Sequence, residues 1–407
     1  MSSKKKLSPE QTLRRLKAQG YASTREDNKV FREVIEKSMP SSQVREQEKE
    51  LLWHKEPRTY TLNFAHISTS GFGALMASVR HPVDHVLVRT LPANTNPQTY
   101  EAKRKELMKE WGHSKKRFLK KYGRLLEDPL DRIFASKYQR NCFIGNPDLT
   151  NRILRETRIL MERKHPAIPE TISGPKTFED VQNTPIVMRY YLAKNLREFA
   201  QSEKRLEKRI ETAIDTVQTL ASVHKTTSRT KRGPLLHRDV KPENIMITKT
   251  GRLLYIDWGS GSEPDREDGV STRLTQTGFC IGAPQYMAPE TLQGGLIAYK
   301  MPAEIYGCGV TVYEITTQVC PFEGRDKVAL LLNKINNTIR GIPSQLNSGI
   351  PIGMSREIMK AISPNPKDRH VTVAQFANAL ERYRPRKIKA RVKLTKSSKR
   401  RSRVRAK

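Results

Sequence analysis

The run His237-Arg238-Asp239-Val240-Lys241-Pro242-Glu243-Asn244 places a carboxylate, an ammonium and an amide within six consecutive positions, Asp239 to Asn244. A second carboxylate, Asp257, follows Asn244 by thirteen residues and opens the tripeptide Asp257-Trp258-Gly259. These groups can take up a proton, neutralise an anion and offer hard oxygen ligands to a divalent cation. A third marker, Ala288-Pro289-Glu290, stands further along. A lone Asp-Trp-Gly would carry no information, but three segments in a set order and spacing are hard to obtain by chance.

In order and spacing they resemble the catalytic loop, metal-binding motif and activation-segment end of eukaryotic-type serine/threonine protein kinases. The resemblance covers residues 60–383, apart from one interruption. It implies ATP as phosphoryl donor, Mg²⁺ as its counter-ion and a protein substrate. Asp239 is then the catalytic base, and Lys241 the cation on the transferring phosphoryl, in the spacing of Ser/Thr rather than Tyr kinases. Asn244 and Asp257 are the implied metal ligands. Arg238 resembles the arginine that clamps a phosphorylated activation segment, for which Ser271, Thr272, Thr275 and Thr277 are candidate acceptors. Glu290 is expected to pair with Arg369. Glu304 stands where the family has an Asp that ties down the catalytic loop, Trp258 replaces the usual Phe, and Ala283 replaces a Thr.

Ser68-Thr69-Ser70-Gly71-Phe72-Gly73 resembles the glycine-rich phosphate lid, with serines in its first two glycine positions. That match assigns Ser68, Ser70, Gly71 and Gly73 to the phosphates. Ile67, Leu75 and Met246 are assigned to the adenine, with Met188 on an adjoining buried strand. Arg89, in Val86-Leu87-Val88-Arg89, occupies the expected place of the lysine that reaches the phosphates, with Glu156 as its partner. Leu87 then stands where an Ala is usual. Lys103 falls in a helical pattern and is set aside. Arginine is no conservative replacement at such a site. Together with the serines, Leu87 and Ala283 it leaves open a pseudokinase, a kinase-shaped binding scaffold.

The elements that must position these groups divide in two. From Tyr60 to Leu91 the pattern is extended and alternating, as for a hairpin followed by a third strand at Val86–Arg89. Residues 92–150 read as a basic helical insertion, with Leu107, Trp111, Phe118, Tyr122 and Leu125 on one face. Beyond it, helices are expected at 154–160, 203–225, 304–318, 326–340 and 373–383, with a buried strand at Pro185–Met188. The fold class is therefore α+β: a bilobal kinase-like domain over 59–383, with a small antiparallel sheet and a mainly helical larger lobe. Residues 1–58 form a charged extension with short helices.

The chain has 407 residues and a formal charge of +33. Thirteen of the last twenty-four residues, 384–407, are Lys or Arg and none is acidic. Such a stretch cannot bury a core. It makes a nucleic acid or an acidic protein a candidate further partner, and favours the nucleus within an intracellular setting, with the cytoplasm as alternative. No apolar run reaches the roughly 20 residues that span a bilayer. The four cysteines show no metal-type spacing or disulfide framework.

Overall fold

The computed structural model describes residues 9–18, 25–36, 55–56, 61–69, 73–91, 97–126, 132–139, 147–182, 184–227, 234–261, 283–294 and 300–385. Six strands form one antiparallel sheet: β1 (Lys55–Glu56), β2 (Thr61–Thr69), β3 (Gly73–Arg80), β4 (Ile133–Gln139), β5 (Thr171–Ser173) and β6 (Ile186–Arg189), in the order β1-β2-β3-β4-β6-β5. A second, three-stranded sheet, β7 (Ala193–Asn195), β8 (Ile245–Thr248) and β9 (Leu253–Tyr255), lies in the helical half. Gly251, at φ +83°, turns the chain between β8 and β9, a conformation open to a residue without Cβ.

The larger lobe is built on the helices Leu206–Thr227, Met301–Thr317, Ile352–Ala361 and Val373–Glu381, which pack on one another. Met301–Thr317 is buried almost all round, including Ile305, Tyr306, Val310, Val312 and Tyr313. A helix apolar on every side belongs at the centre of a large core rather than at its surface. That core also takes in Leu13, Leu16, Phe31 and Val34 from the N-terminal helices Pro9–Ala18 and Arg25–Glu36. The extension is thus packed onto the larger lobe, and Lys249 in the β8–β9 turn ion-pairs with Glu33 at 2.8 Å.

The third strand is where the structure departs from expectation. Val86–Arg89 is not extended; it lies in the helix Pro82–Thr90, and Arg89 is exposed in its last turn. The physical reason is local. His81 caps the helix by accepting from the Val83 amide, and Pro82 takes a first-turn position where no N–H is needed. Val83, Val86 and Leu87 follow at helical spacing and are all buried. The helical excursion accordingly begins at Pro82 and continues through Pro97–His113 and Lys115–Tyr122 to Leu126. It has a small core of its own, in which Trp111 packs edge-on to Phe118. Arg104 joins its first two helices through Asp84 at 2.6 Å. Residues 133–139 are not part of it; they are β4, the true third strand. No helix among the described residues is long and apolar enough to cross a membrane.

Candidate active site

Registers across the main sheet align Ser68 with Leu75, Leu75 with Lys137, and Lys137 with Ile186. Thr69 and Ala74 pair at the end of the β2–β3 hairpin, whose connection holds Ser70 and Gly71. Those two residues lie outside the described residues, as do Phe72 and the acceptors Ser271, Thr272, Thr275 and Thr277. Ile67 and Ser68 sit near the end of β2, with Gly73 and Leu75 at the start of β3, on the strand ends flanking that connection. Met188 is buried on β6 opposite Ala135, and Met246 lies on β8 opposite Asn195.

The cation at the centre of the cleft is Lys137. Its Nζ lies 2.8 and 2.7 Å from the two Glu156 oxygens and 3.0 Å from Oδ1 of Asp257. Burial alone would lower its pKa, but the carboxylates of Asp257 and Glu156 outweigh burial and hold it above the ordinary value. Burial would likewise raise Asp257, yet Lys137 and Arg152 hold it well below the usual carboxylate range. Glu156 is raised by burial, against the pull of Lys137.

Lys137 thus occupies the role that the sequence assigned to Arg89, which is corrected here: Arg89 lies on a different element and makes no contact with Glu156 or Asp257 among the hydrogen bonds and ion pairs of the described residues. Ala135, two residues before Lys137 on β4, likewise replaces Leu87 as the small residue of that strand. The signal was present in the sequence as Phe134-Ala135-Ser136-Lys137, nineteen residues before Glu156. The assumed insertion concealed it.

Two further arginines, not anticipated, come from the Glu156 helix, Pro147–Glu162. Arg152 reaches Asp257 at 3.4 Å, and Arg155 donates to the Gly259 carbonyl at 3.2 Å. A Cβ at Gly259 would stand 2.7 Å from Cγ and Nε of Arg152, so the glycine makes room for that arginine. Trp258 is fully buried, donates from Nε1 to the Tyr255 carbonyl at 2.8 Å, and packs 4.5 Å from the His237 ring.

Below the cleft, the catalytic-loop groups converge on Asp239. Lys241 Nζ donates to Oδ2 at 2.7 Å, and Asn244 Nδ2 donates to the same oxygen at 2.8 Å and to the Asp239 carbonyl at 2.9 Å. With its amide nitrogen engaged in this way, Asn244 is left with its carbonyl oxygen for a cation. The backbone is held from beneath. Buried Glu304 accepts from His237 N at 2.7 Å and from Arg238 N at 3.0 Å. Its longer side chain therefore spans both amides. Burial would raise Glu304, but His224, His237 and the backbone amide keep it below its ordinary value.

This anchoring matters because Arg238 is left-handed at φ 63° and Asp257 at φ 62°. Such conformations cost on the order of 1–3 kcal/mol each and persist where surrounding bonds over-determine them. His237 is pushed down by burial and stays neutral. Its Nδ1 accepts from Asp239 N at 3.3 Å, so Nε2 carries the proton that faces the Ile256 carbonyl at 2.9 Å. Glu290 and Arg369 form a two-pronged pair at 2.7 and 2.9 Å, with Arg369 also donating to the carbonyls of Pro302, Ser363 and Pro364.

Comparison with known proteins agrees with this geometry. The protein kinase domain family matches residues 124–383, and the chain belongs to that family. It is 28% identical over 273 residues to a probable serine/threonine-protein kinase of Clostridium perfringens, covering 66% of this chain and 36% of that protein. It is 30% identical over 257 residues to serine/threonine-protein kinase PknB of Mycobacterium leprae, covering 61% and 38%. It is 30% identical over 272 residues to serine/threonine-protein kinase PknD of Chlamydia trachomatis, covering 62% and 29%. The chain therefore spans less than two fifths of the length of these relatives. The matched segment begins after most of the helical excursion and includes Lys137.

Proposed function

We propose that the chain is a protein serine/threonine kinase that transfers the γ-phosphoryl group of ATP to protein hydroxyls. The observation that carries this reading is Lys137 bridging Glu156 and Asp257, above a loop in which Lys241 and Asn244 both bond Asp239. A scaffold has no use for these six polar groups held at such chemical cost. The main argument for a pseudokinase, an arginine in place of the cleft lysine, goes with the reassignment to Lys137.

Asp239 accepts the proton of the acceptor hydroxyl as that oxygen attacks phosphorus. Lys241, already 2.7 Å from Asp239, lies where it can offset negative charge building on the phosphoryl oxygens. Lys137, kept charged by its two carboxylates, orients the nucleotide phosphates. Asp257 and Asn244 offer one carboxylate and one amide oxygen, a hard donor set that suits Mg²⁺ sharing its sphere with phosphates and water. Held by Asp257 and Asn244, the ion would supply positive charge to offset that of the phosphates.

The test is a titration of the full chain with Mg·ATP, followed by steady-state transfer of labelled γ-phosphate to a mixed protein acceptor. Saturable binding with turnover is expected. Binding without turnover would favour the scaffold, and no binding would overturn the proposal.

A further inference from the structure

Lys334 is a lysine with no exposed surface, on the helix Lys327–Ile335, away from the cleft groups described above. A buried ammonium must be satisfied or it is strongly disfavoured. Its Nζ donates to the Gln285 carbonyl at 2.7 Å and to the Met287 carbonyl at 2.8 Å, and lies 3.4 Å from the Tyr306 hydroxyl. The same ammonium stands 4.8 Å from the Tyr306 ring centre and 4.9 Å from that of Phe322, rings stacked on each other at 14°. Carbonyl dipoles and ring faces, rather than a carboxylate, hold the charge.

The carbonyls it grips belong to 283–288, the strip that runs into Pro289 and Glu290. This strip abuts the catalytic loop. A Cβ on Gly307 would meet the Val240 carbonyl at 3.4 Å and the Tyr286 carbonyl at 3.7 Å, so one glycine separates the two segments. From the other side, the Tyr286 hydroxyl is bonded to Arg197 and Glu314, and Arg197 also pairs with Glu243 of the catalytic loop at 3.1 Å. Side chain and main chain of the strip are therefore tied to different elements, and Lys334 provides the main-chain tie. Its helix is itself braced: Asp326 caps it through Ala329 N at 2.8 Å, and Asn333 donates to the Glu323 carbonyl at 2.7 Å.

We infer that Lys334 is a positioning residue for the acceptor protein, holding the 283–288 strip as the surface against which a Ser or Thr hydroxyl is presented to Asp239. This rests on the kinase reading proposed above. Lys334 touches neither nucleotide-facing groups nor Asp239 among its contacts, so it should act on acceptor binding and leave ATP binding alone.

The experiment compares wild type with Lys334→Met, close in size and without any donor, and Lys334→Gln, of the same size as Met but with an amide N–H donor. Two readouts are taken: KM for a pooled Ser/Thr peptide acceptor against KM for ATP, and amide hydrogen exchange across 283–290. Losing a charge-assisted hydrogen bond corresponds to about a tenfold effect or more, so acceptor KM should rise about tenfold in the Met variant. The Gln variant should fall between, ATP KM should stay within about twofold, and exchange across the strip should accelerate in the same order. Equal shifts in both KM values, or unchanged exchange in a folded variant, would overturn the inference. If the Met variant does not fold, the Gln variant decides by the same criteria. A wild type that transfers no phosphate would count against the kinase reading alone, while the exchange measurement would still judge Lys334.

Discussion

Replacing Lys137 by Met removes the ammonium that contacts both Glu156 oxygens and Asp257. Glu156 has a side chain only 3% exposed, and both its oxygens lie within 2.8 Å of the lysine. Asp257 keeps Arg152, but at 3.4 Å and at a poorer distance. Deleting one partner of a buried pair costs about 3–5 kcal/mol, and the 20% exposure of Lys137 places the expected loss near the lower end, about 3 kcal/mol. At about 2–4 °C per kcal/mol for a domain of this size, the melting temperature should drop by about 6–12 °C. Turnover should fall by at least about a hundredfold, because the phosphates lose the group that orients them. The matched control is Arg89→Met. Arg89 is an exposed residue of the Pro82–Thr90 helix, outside the Lys137–Glu156–Asp257 cluster, so its loss should leave turnover unchanged. Differential scanning fluorimetry and steady-state phosphotransfer on both variants read this directly. Adding Glu156→Gln to Lys137→Met should cost much less than the two single losses summed, since the pair acts as a unit. Inactive Arg89→Met beside active Lys137→Met would refute the assignment of the cleft lysine.

Glu304→Gln should lose about 2–3 kcal/mol of stability and most of the turnover, because one of the two oxygens that accept from His237 N and Arg238 N becomes an NH2 donor; an unchanged melting temperature with native activity would speak against the anchoring role. Arg369→Met should destabilise by about 3–5 kcal/mol, leaving Glu290 without its buried partner, while turnover per folded molecule at low temperature changes little. Lys334 is pushed down to about 7, chiefly by burial, with Arg369 also lowering it and Cys320 and Glu290 opposing. The folded state thus binds fewer protons than the unfolded chain between pH 7 and the ordinary lysine value of 10.5. Wild type should gain stability relative to Lys334→Met as pH rises through that window, by about 1 kcal/mol per pH unit. Parallel melting curves at every pH would mean that Lys334 keeps its ordinary pKa and that burial does not disfavour its charge.

Much of the larger lobe was legible because its signals are local. The catalytic loop, Asp257, Glu156, Glu290 and Arg369 lie in short motifs, and the long helices carry clear apolar periodicity. The smaller lobe was misread at a single point. Val86-Leu87-Val88 is a three-residue apolar run, too short to separate strand from helix by period, and a basic residue after it resembled the expected lysine. What decides for helix is His81-Pro82 at its start, and burial of Val83, Val86 and Leu87 against a separate small core that only the three-dimensional packing reveals. Trusting Arg89 then made β4 look like part of an insertion. Arg152 and Arg155 were invisible for a different reason: an arginine on a helix is usually a solvated one, and their targets, Asp257 and Gly259, lie over a hundred residues away. The same holds for Lys334, whose carbonyl partners, Gln285 and Met287, lie about fifty residues before it.

The most direct measurement is transfer of labelled γ-phosphate from Mg·ATP to a protein acceptor by wild type and by Asp239→Asn, followed by phosphoamino-acid analysis. Asp239→Asn keeps an acceptor oxygen for Lys241 and Asn244 but cannot take up the proton. The account predicts label on serine or threonine with wild type, reduced in the variant by on the order of a hundredfold to ten-thousandfold. Equal labelling by the two proteins, or saturable nucleotide binding by wild type with no label transferred, would contradict it.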